Sequence, residues 1–411
     1  MTIFAGKKSV EMNVVEINMY NFGSTGTIML GVSERLREEG HRVLICYPAT
    51  KRNLKKEVKD SYLMRTRIER NVGMDLSRLF GCEDLFFRLA TWRLVRRMDR
   101  FGVDLVHLHN LHGWYINIPV LFRYLRKKGI PVVWTLHDCW PLTGHCAHFE
   151  RIGCQKWMED CETCPLYRAY PQSRMDNARR MLRVKRKYIA GLPGLTLAAP
   201  SEWLASLVRK SYLKESPVVV VYNGIDTESF RPTDSDFRNR LHLEGKILIL
   251  GVAMQWGIKK GIDVFARLAE DLDDRFGIVL VGTDDEVDRS LPERIITIHR
   301  TMNQEELAAI YTTADLFVNP TREEVFGLVN VEALACGTPV LTYNSGGSPE
   351  TIDRTCGSVV ERDDYEALKA EILRITTTRP YSPEACRARA LQLSATHMLD
   401  AYVRLFTSLV P

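Results

Sequence analysis

The sequence predicts an α/β protein built as two doubly wound halves that face each other across a cleft. Three observations predict it. Short apolar, β-branched runs alternate with helix-length amphipathic segments almost from end to end, the pattern of parallel βαβ units. The alternation stops once, at Asn223-Gly224 and a polar stretch containing Pro232. It then resumes with a second series. Ligands of such sheets bind outside the carboxyl ends of the strands, so two facing halves place a cleft between them.

In chain order, the first series places strands at 14–19, 43–47, 105–109, 132–137, 195–199 and 218–222. The second places them at 247–252, 278–281, 295–299, 316–319 and 340–343. Residues 1–224 form the first half, with an insert at 138–175, and residues 225–385 form the second. Residues 382–408, rich in Ala and Leu, predict a closing helix, and 386–411 are expected to pack back on the first half. No solenoid-type repeat or low-complexity tract interrupts this order.

The 411 residues suffice for two or three domains, and 45% hydrophobic with 26% charged residues is ordinary globular composition. No apolar run approaches the roughly 18–20 residues of a membrane-spanning helix. Residues 1–10 carry Lys7 and Lys8 and lack an apolar leader core, which reads as a cytoplasmic protein. The net charge of +5 conceals an asymmetry. Residues 1–190 carry 33 Lys and Arg against 19 Asp and Glu, while residues 191–411 carry 23 against 32. A basic half of that size points to an anionic partner, with a solvated surface as the plainer reading.

The most informative run extends from Asp315 to Glu350. It reads as a strand, a tight loop, a helix beginning near Phe326, Gly327 and Leu328, and another strand. A helix N-terminus offers unpaired N–H groups and the positive end of a dipole, which suits a diphosphate. Glu324 precedes that helix and Glu332 lies about two turns along it on a comparable face. Carboxylates so placed can accept hydrogen bonds from hydroxyls at both ends of a nucleotide sugar. Alternatively, Glu324 is a cap and Glu332 an exposed helical charge. The company of Gly327, Gly337 and Gly346-Gly347 favours the site.

This stretch closely resembles the retaining glycosyltransferases of the group 1 type (carbohydrate-active family 4), whose hallmark is Glu, seven residues, Glu. The resemblance implies a GT-B fold: two Rossmann-like domains facing a cleft, the first binding acceptor and the second the nucleotide sugar. It implies that Glu324 contacts the transferred hexose, that Glu332 contacts the ribose, and that the amides around Phe326–Leu328 touch phosphate and sugar. Gly346-Gly347 matches the family's glycine-pair loop. Lys260-Gly261 matches its Lys-Gly, where the lysine binds the donor diphosphate; such a charge stabilises the leaving phosphate as the glycosidic bond breaks. The family's arginine five or six residues earlier is replaced by Gln255 and Met254, leaving Lys259 or a basic residue of the other half to substitute.

In the first half, Gly23 and Gly26 follow the first strand, and the resemblance sets their loop near the donor phosphates. His137 ends the strand at 132–137, and the resemblance makes it a partner of the transferred sugar; a core histidine is the plainer reading. His107 and His109 line the neighbouring strand end. Ser201-Glu202-Trp203 and Asn223-Gly224-Ile225-Asp226 match architectural and hinge landmarks. Retaining members are argued to react on the front face, with the leaving phosphate taking the acceptor's proton. No pair of carboxylates of the hydrolase type declares itself here. His137, Lys260 and Glu324 are therefore the residues expected to carry catalysis, through positioning and electrostatics and without a catalytic cofactor.

The insert carries Cys139, Cys146, Cys154, Cys161 and Cys164. Cys161 and Cys164 have ligand spacing, and Cys146 and Cys154 can complete a four-thiolate structural zinc site. Packed free thiols and disulfides are the other two readings. Residues 85–97 form a basic amphipathic segment and 179–187 a second basic stretch. They are either helices packed on the sheet or a surface docking on anionic lipid at the inner face of the membrane. The expected partners are a UDP- or GDP-type sugar and a saccharide or lipid-linked acceptor in surface polysaccharide synthesis, with no nucleic acid. The competing functions are a sugar-nucleotide 2-epimerase and a non-catalytic sugar-nucleotide-binding protein on the same fold.

Overall fold

A computed structural model describes residues 11–64 and 67–410, so the reading of residues 1–10 lies outside the described residues. The first half holds seven strands: β1 (Asn13–Ile17), β2 (Arg42–Pro48), β3 (Ser61–Met64), β4 (Leu105–Leu108), β5 (Val132–Thr135), β6 (Leu195–Ala199) and β7 (Val218–Val220). The second holds six: β8 (Ile247–Val252), β9 (Phe276–Val281), β10 (Ile295–Ile298), β11 (Leu316–Asn319), β12 (Val340–Asn344) and β13 (Gly357–Glu361). The sheet orders are β3-β2-β1-β4-β5-β6-β7 and β10-β9-β8-β11-β12-β13, and every described strand pair is parallel. Both halves are thus Rossmann-like, and two of these facing one another make the GT-B architecture.

Parallel strands must be covered on both faces, which explains their continuous apolar runs. Strands β1, β4, β5 and β6 are buried throughout apart from Asn13 at the start of β1. In each sheet the order reverses once, between β1 and β4 and between β8 and β11. These two switch points are where loops diverge and a crevice opens beyond the strand ends. Gly23 and Gly26 follow β1, and His109 follows β4. Lys260 follows β8, and Glu324 follows β11. The topology alone therefore collects the sequence-predicted groups at facing crevices.

The single closing helix expected at 382–408 is two helices, Pro383–Gln392 and Ala395–Leu409. Ser394 breaks them, its side chain accepting from His397 N–H as an N-cap. The first stays on the second half, with Cys386 and Ala390 in that core. The second returns to the first half and buries Met398, Tyr402, Val403 and Phe406 beside Val14, Ile45 and Leu105. The chain crosses between halves where Ile225 bridges to Ser394, and a Cβ at Gly224 would run into the Ser394 carbonyl.

Candidate functional site

The second switch point holds a cradle of paired charges. Lys260 Nζ lies 2.6 Å from Glu324 Oε2, and Lys259 Nζ lies 3.3 Å from Glu323 Oε2. Burial works against the Glu324 charge, but Lys260 prevails and holds the carboxyl below its ordinary value. Two consecutive lysines from the loop after β8 thus meet two consecutive glutamates from the loop after β11. Gly261 follows at φ +76, where an added Cβ would approach the Pro320 ring to 2.6 Å.

The helix Leu328–Ala335 begins immediately after this pair. Gly327 precedes it at φ +95, and no side chain caps it. Phe326 is buried and stacks on Tyr222 at 5.6 Å. Glu332 accepts from the Tyr311 hydroxyl at 2.9 Å, and burial pushes its carboxyl up to about 7. The glycine pair closes the other side. A Cβ on Gly346 would collide with the Glu324 carbonyl, and one on Gly347 with that of Val325, while Gly347 N–H donates to the Glu324 carbonyl at 3.0 Å. The pair is glycine because backbone touches backbone there.

The cleft of the first half is a cavity of about 590 Å³ lined by Tyr20, Phe22, Gly23, Ser24, Thr25 and Asn110, with Met254, Lys259 and Glu323 from the second half. Gly23, at φ +69, has open space where a side chain would sit, at the uncapped start of the helix Gly23–Glu38. Gly26 does not expose backbone. A Cβ there would sit 2.7 Å from the Asn21 carbonyl carbon, so its smallness serves the turn.

His137 is part-buried just beyond β5, its Nε2 2.8 Å from His109 Nδ1. The histidine that lies near enough to influence Glu324 is a different one, His148, whose charged form burial disfavours. It stands in the cysteine insert, which the sequence marked only for its thiols. The insert supplies much of the cavity wall: Ala147, His148, Arg151, Ile152, Leu166, Ala169 and Tyr170. Beside it Asp138 receives His112 Nε2–H at 2.8 Å. Burial opposes both charges, yet each stabilises the other; the Asp138 carboxyl falls to about 2 and His112 rises above its ordinary value. Residues 254–256 bring no arginine to the cleft; Lys259 and Arg151 are the cations that line it.

The insert also clips the halves together. Glu150 accepts from Gly346 N–H at 2.9 Å, and Glu323 from Arg151 N–H at 3.0 Å. Glu350 accepts from the amides of Glu202 and Trp203 at 2.7 Å each, capping the helix Glu202–Lys210 from the opposite half. The stretch 179–187 also braces the insert. Arg179 and Arg183 pair with Asp160, and the buried Lys185 donates to the carbonyls of Trp140 and Thr143.

Cys146 and Cys164 are neighbours, the first thiol held well above its ordinary value and the second below it. Cys161 Sγ accepts from Gly144 N–H at 3.2 Å. A zinc at about 2.3 Å from four thiolates needs sulfurs about 4 Å apart. Among the described residues no three of these sulfurs lie within 4.8 Å of one another. Cys146, Cys154, Cys161 and Cys164 are not drawn that close together here, and four of the insert's five cysteines, all but Cys154, are buried free thiols.

Comparison with known proteins agrees with this geometry. Residues 25–229 match the family model described as Glycosyltransferase Family 4, and residues 235–392 match Glycosyl transferases group 1. The chain belongs to this glycosyltransferase family. It is 24% identical over 419 residues to a putative colanic acid biosynthesis glycosyl transferase, WcaC, of Escherichia coli (strain K12), covering 97% of this chain and all of that one. A D-inositol 3-phosphate glycosyltransferase of Catenulispora acidiphila is 33% identical over 198 residues, 43% of this chain and 47% of its own length. Among solved structures, a glycosyltransferase of Rickettsia africae matches with a TM-score of 0.69 and 16% identity over 97% of this chain and 98% of that one. HepE of Anabaena, in complex with UDP-glucose, gives 0.66 and 16% over 97% and 100%. These two establish the fold of the glycosyltransferase and no more.

Proposed function

We propose that this glycosyltransferase moves a hexose-type sugar from a nucleotide diphosphate sugar, of UDP or GDP type, to a saccharide or lipid-linked acceptor with retention. The observation that carries the reading is the Lys260–Glu324 pair at the uncapped start of the helix Leu328–Ala335. In the free protein each neutralises the other. An arriving donor offers both a better partner: diphosphate for the lysine, sugar hydroxyls for the glutamate. Glu332, two turns on, takes the ribose hydroxyls, with its Tyr311 bond holding the carboxylate in place.

Lys260 then faces the charge that grows on the leaving phosphate, with Lys259 and Arg151 in the place of the missing arginine. The acceptor occupies the cavity walled by the insert, beside Asp138 and Tyr170. The name of the Escherichia coli relative supports a role in surface polysaccharide synthesis. The helix Arg88–Phe101 presents Arg93, Arg96, Arg97 and Arg100 outward, with Trp92 and Leu89 each 46% exposed, which supports docking on anionic lipid. Flotation with anionic liposomes at low salt tests this, and protein left at the bottom refutes it.

The donor reading is tested by thermal melts over a panel of UDP and GDP sugars. One class is expected to raise the melting temperature, and Glu324→Ala to abolish the release of nucleotide diphosphate. Absence of a shift with every donor would refute it, as would epimerised sugar formed without acceptor.

A further inference from the structure

Behind His137 lies a buried polar chain that the donor site does not use. Glu16, on β1, is fully buried. Its Oε2 is 3.0 Å from His109 Nε2, a hydrogen bond, and 2.8 Å from His107 Nδ1, which has no hydrogen-bond partner among the described residues. His107 Nε2 is 2.8 Å from Thr135 Oγ1, which is 2.9 Å from the Tyr402 hydroxyl of the returning C-terminal helix. At the other end His109 Nδ1 meets His137 Nε2 at 2.8 Å, with the ring planes within 8° of each other.

Donor and acceptor roles along this chain follow from one atom. A carboxylate oxygen only accepts, so the ionised Glu16 takes the Nε2 proton of His109 at Oε2, while His107 Nδ1 stands close without a hydrogen bond. His109 is then protonated on Nε2, which leaves its Nδ1 with a lone pair. His137 must donate to that lone pair from Nε2. Its own Nδ1 is left unprotonated, with no protein partner among the described residues.

We propose that Glu16 is a positioning residue that acts through His109 to lock His137 as the Nε2–H tautomer, so that His137 Nδ1 presents a hydrogen-bond acceptor. Resting on the donor-site reading above, the group it accepts from is a hydroxyl of the transferred sugar. The rings of His109 and His137 stay neutral, because burial drives the affinity of each for a proton down to about 3. On the far side, His107 Nε2 is bonded to Thr135 Oγ1, which is bonded to the Tyr402 hydroxyl. The helix Ala395–Leu409, far along the sequence, thereby closes the chain.

The same three side chains, Glu16, His107 and His109, set three ligand atoms within 4.8 Å of one another. A metal there would require lone pairs on His107 Nδ1 and His109 Nε2. The proton of His109 would move to Nδ1, reversing the bond to His137 and turning His137 Nδ1 into a donor. His107 is flanked by the rings of Tyr402 and Phe406, which offer no carboxylate or imidazole as a further ligand. The proton chain is the arrangement that fits.

The test uses the full-length, ligand-free protein labelled with 15N at histidine, with the His137 signals assigned by their loss in His137→Asn. Long-range 15N–1H spectra at neutral pH report which ring nitrogen carries the proton. The expected result is Nε2–H for His137 in the wild type. Glu16→Gln should retain it, since the amide oxygen can take the same imidazole proton. Glu16→Leu should yield a mixture. An Nδ1–H or doubly protonated His137 in the wild type overturns the proposal, whatever the variants do. An unchanged tautomer in a folded Glu16→Leu overturns it too. Because no donor is present, failure of the donor-site reading leaves this result untouched. Where a donor is turned over, Glu16→Leu should lower discrimination against the matching deoxy-sugar by about five- to tenfold, with Glu16→Gln restoring it.

Discussion

Replacing Glu332 by glutamine is expected to stabilise the protein above neutral pH while weakening its hold on the donor. Glu332 is a part-buried carboxyl whose one described partner is the Tyr311 hydroxyl at 2.9 Å, and burial lifts its pKa to about 7. Because the folded value lies above the ordinary 4.5, the folded state holds this proton more tightly than the unfolded chain. The contribution is present in full below about 4.5 and is lost as pH rises to about 7, beyond which it is flat. At about 1.4 kcal/mol per pH unit, that interval sets a ceiling of about 3 kcal/mol. Residual solvent contact screens part of it, leaving about 1–2 kcal/mol as the expected gain for Glu332→Gln at pH 8. The amide keeps an oxygen for Tyr311. Melts at pH 5 and pH 8 measure this, at roughly 2–4 °C per kcal/mol for a domain of this size. The variant should melt higher than the wild type at pH 8, with most of the difference gone at pH 5. Equal melting at pH 8, or a difference that persists unchanged at pH 5, would refute the assigned burial cost. Donor affinity of the wild type should fall as pH drops below about 7, since a protonated carboxyl loses acceptor capacity.

Gly347→Ala should reduce turnover strongly while leaving the fold intact, because its Cβ would press on the Val325 carbonyl and displace the loop that carries Glu324; full activity would contradict that contact. Metal analysis of the purified chain should find less than one zinc per molecule. A full equivalent that disappears in Cys161→Ser would show that the insert's sulfurs converge after all.

The strand runs were legible because parallel strands buried on both faces cannot hide their apolar character; the spans of β6, β8 and β11 agree with the sequence reading to the residue. The edge strands β3 and β13 escaped it. Ser61–Met64 opens on a serine and is only partly buried over its first three residues, and Gly357–Glu361 opens on glycine and closes on a charge. Ser394 carried the signal for the break in the closing helix, a capping residue within an apolar period, and it was outweighed by the Ala and Leu around it.

At the site, Glu324 and Glu332 were readable because loop, helix start and glycines lie close together in sequence, whereas Lys260, 64 residues before Glu324, was read from the family resemblance. His148 and Arg151 were not, since the path of an insert with little regular structure depends on tertiary contacts such as Glu150 with Gly346. The role of Glu16 was equally hidden. A lone carboxylate within an apolar strand declares its purpose only when β4 brings His107 and His109 beside it.

Titration calorimetry of the wild type and Lys260→Ala with UDP- and GDP-hexoses tests the central claim most directly. The account predicts saturable binding of one nucleotide class, weakened about tenfold or more in Lys260→Ala by loss of a charge-assisted contact to the diphosphate. No binding of any nucleotide sugar, or equal affinity in the two proteins, would contradict it.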